Sequence, residues 1–392
     1  MRTLLHRTLQ MTALAVAATF ALTPAVEADD WVSKWSNGHK IENKDKGHKL
    51  KFGGRIQADY TFADVDDELG GGEDGFEFRR ARFYFSGTVY DNVQFKAQYD
   101  FAGGDAEFKD VYIAIKQDWG KIKFGHYKEY FSFEEITSSN HIPFLERSTP
   151  TQAFAPVRNS GLSVEGKRGD TFTWGFGWWY EADSFGESIS EDATNITGRI
   201  GWRPIFEDGR VLHIGVGASL KDHAGSVRYR ARPEAHLADR FVNTGTFAAD
   251  DSTLLNFELA GTAGPLWYAA EYFSADVSSS AFGDPTFDGF YVAAGYFLTG
   301  ESRPFKTSSS SWDRLKPNEN FGPGKGAWEI AARWSSIDLN DAGISGGEQD
   351  GLTLGVNWYL NPATRLMINY VNADVDAVGD ASYLLARWSF TF

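Results

Sequence analysis

The stretch Leu50-Lys51-Phe52-Gly53-Gly54-Arg55-Ile56-Gln57-Ala58-Asp59-Tyr60-Thr61-Phe62 decides the fold. Its even positions are apolar or glycine: Leu50, Phe52, Gly54, Ile56, Ala58, Tyr60 and Phe62. Its odd positions are mostly polar: Lys51, Gly53, Arg55, Gln57, Asp59 and Thr61. Strand side chains point to opposite faces in turn, so this is a strand with one apolar and one polar face. It outruns the ~5–6 residues usual in soluble proteins.

The pattern recurs. Ala81, Phe83, Phe85 and Val89 oppose Arg80, Arg82, Tyr84 and Thr88; Leu352, Leu354, Val356, Trp358 and Leu360 oppose Thr353, Gly355, Asn357 and Tyr359. Sixteen such segments start near residues 50, 76, 92, 108, 120, 161, 171, 194, 211, 253, 265, 287, 327, 351, 364 and 382. Short connections such as Tyr90–Asn92, Gln117–Gly120 and Asn361–Ala363 are interleaved with long ones at 63–75, 128–160, 183–193, 222–252, 274–286 and 339–350. Short turns at one end and long loops at the other are the asymmetry of a transmembrane barrel, whereas a soluble sandwich has no reason for it. The expected fold is all-β: a 16-stranded antiparallel transmembrane β-barrel with short periplasmic turns and long extracellular loops, one of them folded into the lumen. The long Ser/Pro/Gly-rich segment 300–326, on the short-turn side, reads as a loop.

Composition agrees. The 392 residues include 31 Phe, 16 Tyr, 13 Trp and 41 Gly, yet mean hydropathy is negative, because only alternate strand residues meet lipid. Cysteine is absent, which excludes disulfides, thiolate metal sites and a cysteine nucleophile. A net charge of −15 argues against a nucleic-acid partner. Residues 1–28 read as a secretory signal peptide: Arg2 and Arg7, an apolar run from Leu9 to Ala21, and a cleavage site after Ala28. Its loss leaves the chain one unit more acidic. No later apolar run is long enough for a membrane helix. Residues 29–48 are expected as an N-terminal periplasmic segment and 49–392 as the barrel, in a Gram-negative outer membrane among lipid and lipopolysaccharide. The final strand, Ala386, Trp388, Phe390 and Phe392 against Arg387, Ser389 and Thr391, has the pattern that the barrel assembly machinery reads.

Arginine on polar parity carries the chemistry. Arg55, Arg80 and Arg82 turn inward, and a bulge near Arg79 would turn it inward too, since Phe76 and Phe78 have the opposite parity. Arg199, Arg203 and Arg333 share polar parity, and loop 222–252 holds Arg228, Arg230, Arg232 and Arg240. Guanidinium stays charged and offers forked donors suited to oxyanions, and rings of Arg or Lys are how anion pores select. The competing reading pairs these arginines with Asp59, Asp110 and Glu258, which leaves a general porin with little selectivity. Catalysis has no supporting motif: Ser139-Asn140-His141 has no Gly-x-Ser-x-Gly around it. No cofactor or metal is expected; Asp64, Asp66, Asp67 and Glu68 lack EF-hand spacing and suit a solvated loop tip.

The sequence resembles the phosphate-selective porin O/P family. Lys51–Tyr60, Phe78-Arg79-Arg80-Ala81-Arg82, Thr137-Ser138-Ser139 with Phe144-Leu145-Glu146-Arg147, and Leu354-Gly355-Val356-Asn357-Trp358-Tyr359 carry the resemblance, which spans residues 50–392. It implies a homotrimer of diffusion channels for phosphate, chloride and other small anions. It also implies an arginine ladder, onto which Arg55, Arg79, Arg80, Arg147 and, in the poorly aligned loop, Arg230 and Arg232 are carried, with Asp110 as an acidic residue near the constriction. One departure weakens the expectation: phosphate-selective members place lysines on both sides of Thr-Ser-Ser, where this chain has Glu135 and Asn140.

Overall fold

The computed structural model describes residues 31–187 and 193–392. Residues 1–28, read as a signal peptide, lie outside the described residues. An antiparallel hairpin, β1 (Val32–Trp35) and β2 (His39–Asn43), precedes sixteen longer strands. These are β3 (His48–Val65), β4 (Gly75–Val89), β5 (Val93–Asp100), β6 (Glu107–Gln117), β7 (Gly120–Lys128), β8 (Arg158–Arg168), β9 (Phe172–Tyr180) and β10 (Thr194–Glu207). There follow β11 (Arg210–Asp222), β12 (Asp251–Ala263), β13 (Leu266–Ser278), β14 (Thr286–Phe297), β15 (Ala327–Asp341), β16 (Ile344–Asn361), β17 (Thr364–Val375) and β18 (Gly379–Thr391). Each of the sixteen pairs antiparallel with the next. β18 closes the barrel on β3, from Ala381 opposite Val65 to Thr391 opposite Arg55. The ends are clamped where Gly54 N–H donates to Phe392 O (2.8 Å) and Phe392 N–H to Gly54 O (3.1 Å). The hairpin extends the sheet beside the start of β3, with His39 opposite Phe52 and Asn43 opposite His48.

The alternation read from the sequence places the faces. In β16, Leu352, Leu354 and Val356 are exposed on the outside, while Thr353 and Asn357 are buried in the lumen. Leu354→Arg is expected to destabilise the barrel by about 2–4 kcal/mol, as a charge on the lipid face does near the bilayer midplane. Urea titration of the protein in lipid vesicles checks this; a loss under about 1 kcal/mol would place Leu354 outside the apolar band.

One expectation fails. Segment 339–350 is not a long loop: β15 and β16 run on to a two-residue turn at Ala342-Gly343. Both residues take positive φ, 47° and 83°, as a type I′ hairpin turn requires. The apolar alternation stops at Leu352 because, beyond the membrane, the outer face meets water while the hydrogen-bond ladder continues. A register shift between Asp338 and Asn340 further breaks the period.

Three segments fill the lumen. Loop 129–157, the third connection at the long-loop end, enters with two short helices, α1 (Phe133–Ile136) and α2 (Thr149–Phe154). Loop 223–250 enters from the same end. Segment 298–326 enters from the short-turn end, and Trp312 packs edge-on against Phe133 at 5.0 Å. These segments and the inner faces of β12–β16 form a continuous core that includes Phe131, Phe144, Phe154, Tyr229, Trp267, Phe273 and Phe287. That side of the barrel is therefore solid, and the open space lies against β3–β9.

Candidate functional site

Polar side chains on the wall hold loop 129–157 in place. Glu271 accepts from the backbone N–H of Phe133 and of Glu134 (2.8 Å each), from Asn256 Nδ2 (3.1 Å) and from the Tyr291 hydroxyl (2.9 Å). The first turn of a helix leaves N–H groups unpaired, and the side-chain oxygens of Glu271 satisfy two of them. Arg333 binds Glu134 of this loop (3.0 Å) and Glu234 of loop 223–250. Arg387 binds Asp59 through two 2.6 Å contacts and reaches Glu146 at 2.8 Å. Asn357 Nδ2 donates to Pro143 O and Asn369 Oδ1 accepts from Leu145 N–H, each at 2.8 Å.

Beside the loop lies a cavity of about 850 Å³. Its lining includes fifteen Lys and Arg against three carboxylates, Asp110, Asp118 and Glu165, so the field inside is strongly positive. Acidic residues such as Asp64, Asp66, Asp67, Glu68, Glu73 and Asp74 sit exposed outside it, which reconciles the chain's negative charge with a cationic interior.

The expected site residues fall into three groups. Arg55 donates to Ser139 Oγ at the loop tip (2.7 Å) and makes no ion pair among the described residues. Its charge is therefore available to a solute. Arg80, Arg82, Arg147 and Asp110 also line the cavity but are committed. Arg80 donates to Gln57 Oε1 (2.9 Å) and lies 3.8 Å from Glu146; Arg82 pairs with Asp100 (2.7 Å). Arg147 pairs with Glu135 (2.9 Å) and caps the carbonyls of Glu134, Glu135 and Thr137. Asp110 binds Lys96 (2.5 Å) and Arg158 (2.9 Å). Arg79, Arg230 and Arg232 do not line the cavity. Arg79 is the bulged residue, since Gln57 faces Arg80 while Ala58 faces Phe78, and it turns inward onto Glu146 with two 2.9 Å bonds. Arg230 is exposed on its loop, and Arg232 donates to Ala238 O (2.8 Å). A loop's period-free sequence gives no parity from which to place such residues.

The pairing reading holds for several of the arginines, while Arg55 has no carboxylate partner among the described residues. Arg199 pairs with Glu258 and Arg387 with Asp59, as the pairing reading requires. Sequence reasoning missed the lysines. Lys51, Lys116 and Lys306, with Arg314, line the cavity with no carboxylate partner among the described residues. Lys51 and Lys116 have polar parity on β3 and β6, a usable signal; Lys306 and Arg314 lie in segment 298–326 and gave none. Nor does Glu135 strip the cavity of charge, because Lys128 and Arg147 both neutralise it.

Burial pushes the Glu146 carboxyl up, but Arg79, Arg80 and Arg387 outweigh it and hold the group well below the usual carboxylate range. A depressed pKa contributes stability above the unfolded value of ~4.3, and this is lost only as pH falls through the folded value. Single-channel conductance is therefore expected to stay level from about pH 7 to about pH 4. A step in conductance near pH 4 would mean that Glu146 does not pin the loop.

A family model, phosphate-selective porin O and P, matches residues 50–391. The chain belongs to that family. Porin O of Pseudomonas aeruginosa is 28% identical, over 93% of this chain and 92% of its own length. A protein of Caulobacter vibrioides is 26% identical, over 86% of this chain and 70% of its own. Among solved structures, an anion-selective porin from Comamonas acidovorans covers 88% of this chain and all of its own with a TM-score of 0.56, at 13% identity. The outer membrane protein OmpT of Vibrio cholerae, lacking loop L8, gives 0.58 at 15% identity, over 88% of this chain and all of its own. The fold is thus that of outer-membrane porins. Membership of the family makes this chain an outer-membrane porin with anion preference, a channel and not an enzyme.

Proposed function

We propose that this porin conducts phosphate by preference, through a constriction between Arg55 on the wall and Ser138–Ser139 at the tip of loop 129–157. The observation that carries the proposal is the unpaired charge of Arg55, held at a loop hydroxyl and accompanied in the same cavity by Lys51, Lys306 and Arg314. Arg80, Arg82, Arg147 and Arg158 add field, but a carboxylate already offsets the charge of each. Forked guanidinium donors and hydroxyls suit a tetrahedral oxyanion better than they suit a halide. A neighbour in fold, OmpT of Vibrio cholerae, is described in a trimer form, which supports a homotrimer here.

A weakly selective general porin is the second reading, favoured by the ion pairs at Asp100, Asp110 and Glu135. Uptake of phosphate into proteoliposomes separates the two. A site makes the flux saturate with concentration; flux that rises in proportion to concentration throughout supports the general porin.

A further inference from the structure

Asn140 and His141 line the cavity next to Ser139. Each carries a polar atom that is closed off from solvent and has no hydrogen-bond partner among the described residues: Asn140 Oδ1 and His141 Nε2. Buried unsatisfied groups are rare and costly, so two on adjacent residues of a pore wall call for a reason. Their surroundings are cationic. Arg55 binds the preceding residue, Ser139, at 2.7 Å, while Arg314 and Lys306 line the same cavity. Arg365 holds the following carbonyl, Ile142 O, at 2.9 Å and has its Nη2 unpartnered. Asp313 is the nearby acid, 3.9 Å from His141 Nδ1.

Burial, with Arg314, Arg55, Arg365 and Lys306, holds the His141 imidazole well below its usual range, so the ring is neutral. A neutral imidazole has one N–H and one lone pair. Asp313 on the Nδ1 side favours the N–H there and leaves the lone pair on Nε2. The terminal torsions of Asn and His are broad, so a turn of each side chain, both of which line the cavity, would bring the acceptor atom to a solute.

Cations attract any anion and do not tell one from another. Acceptors do. A lone pair repels an anion that has no hydrogen and binds one that brings an O–H. At neutral pH sulfate and chloride carry no proton, whereas inorganic phosphate does, in both of its forms. We propose that Asn140 Oδ1 and His141 Nε2 form an acceptor pair that selects protonated oxyanions of the phosphate class over sulfate and chloride at the tip of loop 129–157. The inference rests on the reading of this cavity as the anion pathway and goes beyond it by naming what discriminates.

The test is block of the single-channel chloride current by sodium phosphate and by sodium sulfate near pH 7. For the wild type, phosphate is expected to half-block at a concentration at least about tenfold below sulfate. The Asn140→Leu/His141→Leu variant should bring the two concentrations within about twofold. His141→Gln, whose amide oxygen is again an acceptor, should keep most of the difference. A chloride current from each variant shows that it has folded and inserted. Equal block by phosphate and sulfate in the wild type would overturn the inference and leave the anion pathway standing. So would a difference that survives the double substitution. A wild-type channel that neither anion blocks and that prefers cations would contradict the pathway itself.

Discussion

Arg55→Glu is expected to raise the half-blocking phosphate concentration by tenfold or more and to move the zero-current potential in a KCl gradient towards the cation side. Each tenfold corresponds to about 1.4 kcal/mol. The size follows from geometry. Among the described residues Arg55 makes a single hydrogen bond, to Ser139, and no ion pair, so its charge is not spent there. A carboxylate there swings the local charge by two units where the wall meets the loop tip. It also repels the anion in a site where low dielectric strengthens both effects. Arg55→Gln, which keeps a donor and drops the charge, should fall between. Arg80→Glu is a poorer probe, because Arg80 is buried beside Gln57 and Glu146 and its loss disturbs the loop as well. Unchanged block in Arg55→Glu would remove Arg55 from the site.

Arg333→Met is expected to change the channel more than any lining substitution. Arg333 is fully buried and ties two lumen loops to β15, through Glu134 of one and Glu234 of the other, with its guanidinium over the Phe144 ring at 4.4 Å. Removing one partner of a buried pair leaves charge uncompensated and costs about 3–5 kcal/mol. Here two carboxylates lose their counter-ion. Glu234 keeps Ser335 and Thr353 as donors, but Glu134 keeps chiefly Ser148, whose N–H and hydroxyl bond to it at 2.9 Å. Loop 129–157 should therefore loosen while the hydrogen-bonded barrel survives. The expected signature is a larger and noisier single-channel conductance, with faster protease cleavage within 129–157 and unchanged strand content by circular dichroism. Wild-type conductance and wild-type protection would show that the remaining contacts suffice.

The barrel was legible because lipid imposes period two on every strand that crosses it. Where that constraint ends, legibility ended too: β15 and β16 continue past Asp338 and Glu348 into water, and their polar, glycine-bearing tips read as a loop. Inward arginines on strands were legible by parity, even Arg79, whose bulge follows from the parity clash between Phe78 and Ala81. Which of them are free was not. That depends on carboxylates brought from far along the chain, such as Glu146 to Arg79 and Asp100 to Arg82. Segment 298–326 could be read as a loop but not as a lumen insert, since nothing in a Ser/Pro/Gly-rich stretch says which way it folds. Lys306 and Arg314, two of the free charges, entered the cavity with it.

The most direct measurement is the chloride current through one wild-type channel as phosphate is added at constant chloride. A free guanidinium at a narrow, cationic constriction predicts a saturable fall in current, with half-block at a phosphate concentration far below that of the chloride present. A current that stays level up to equal concentrations of the two anions would contradict the account.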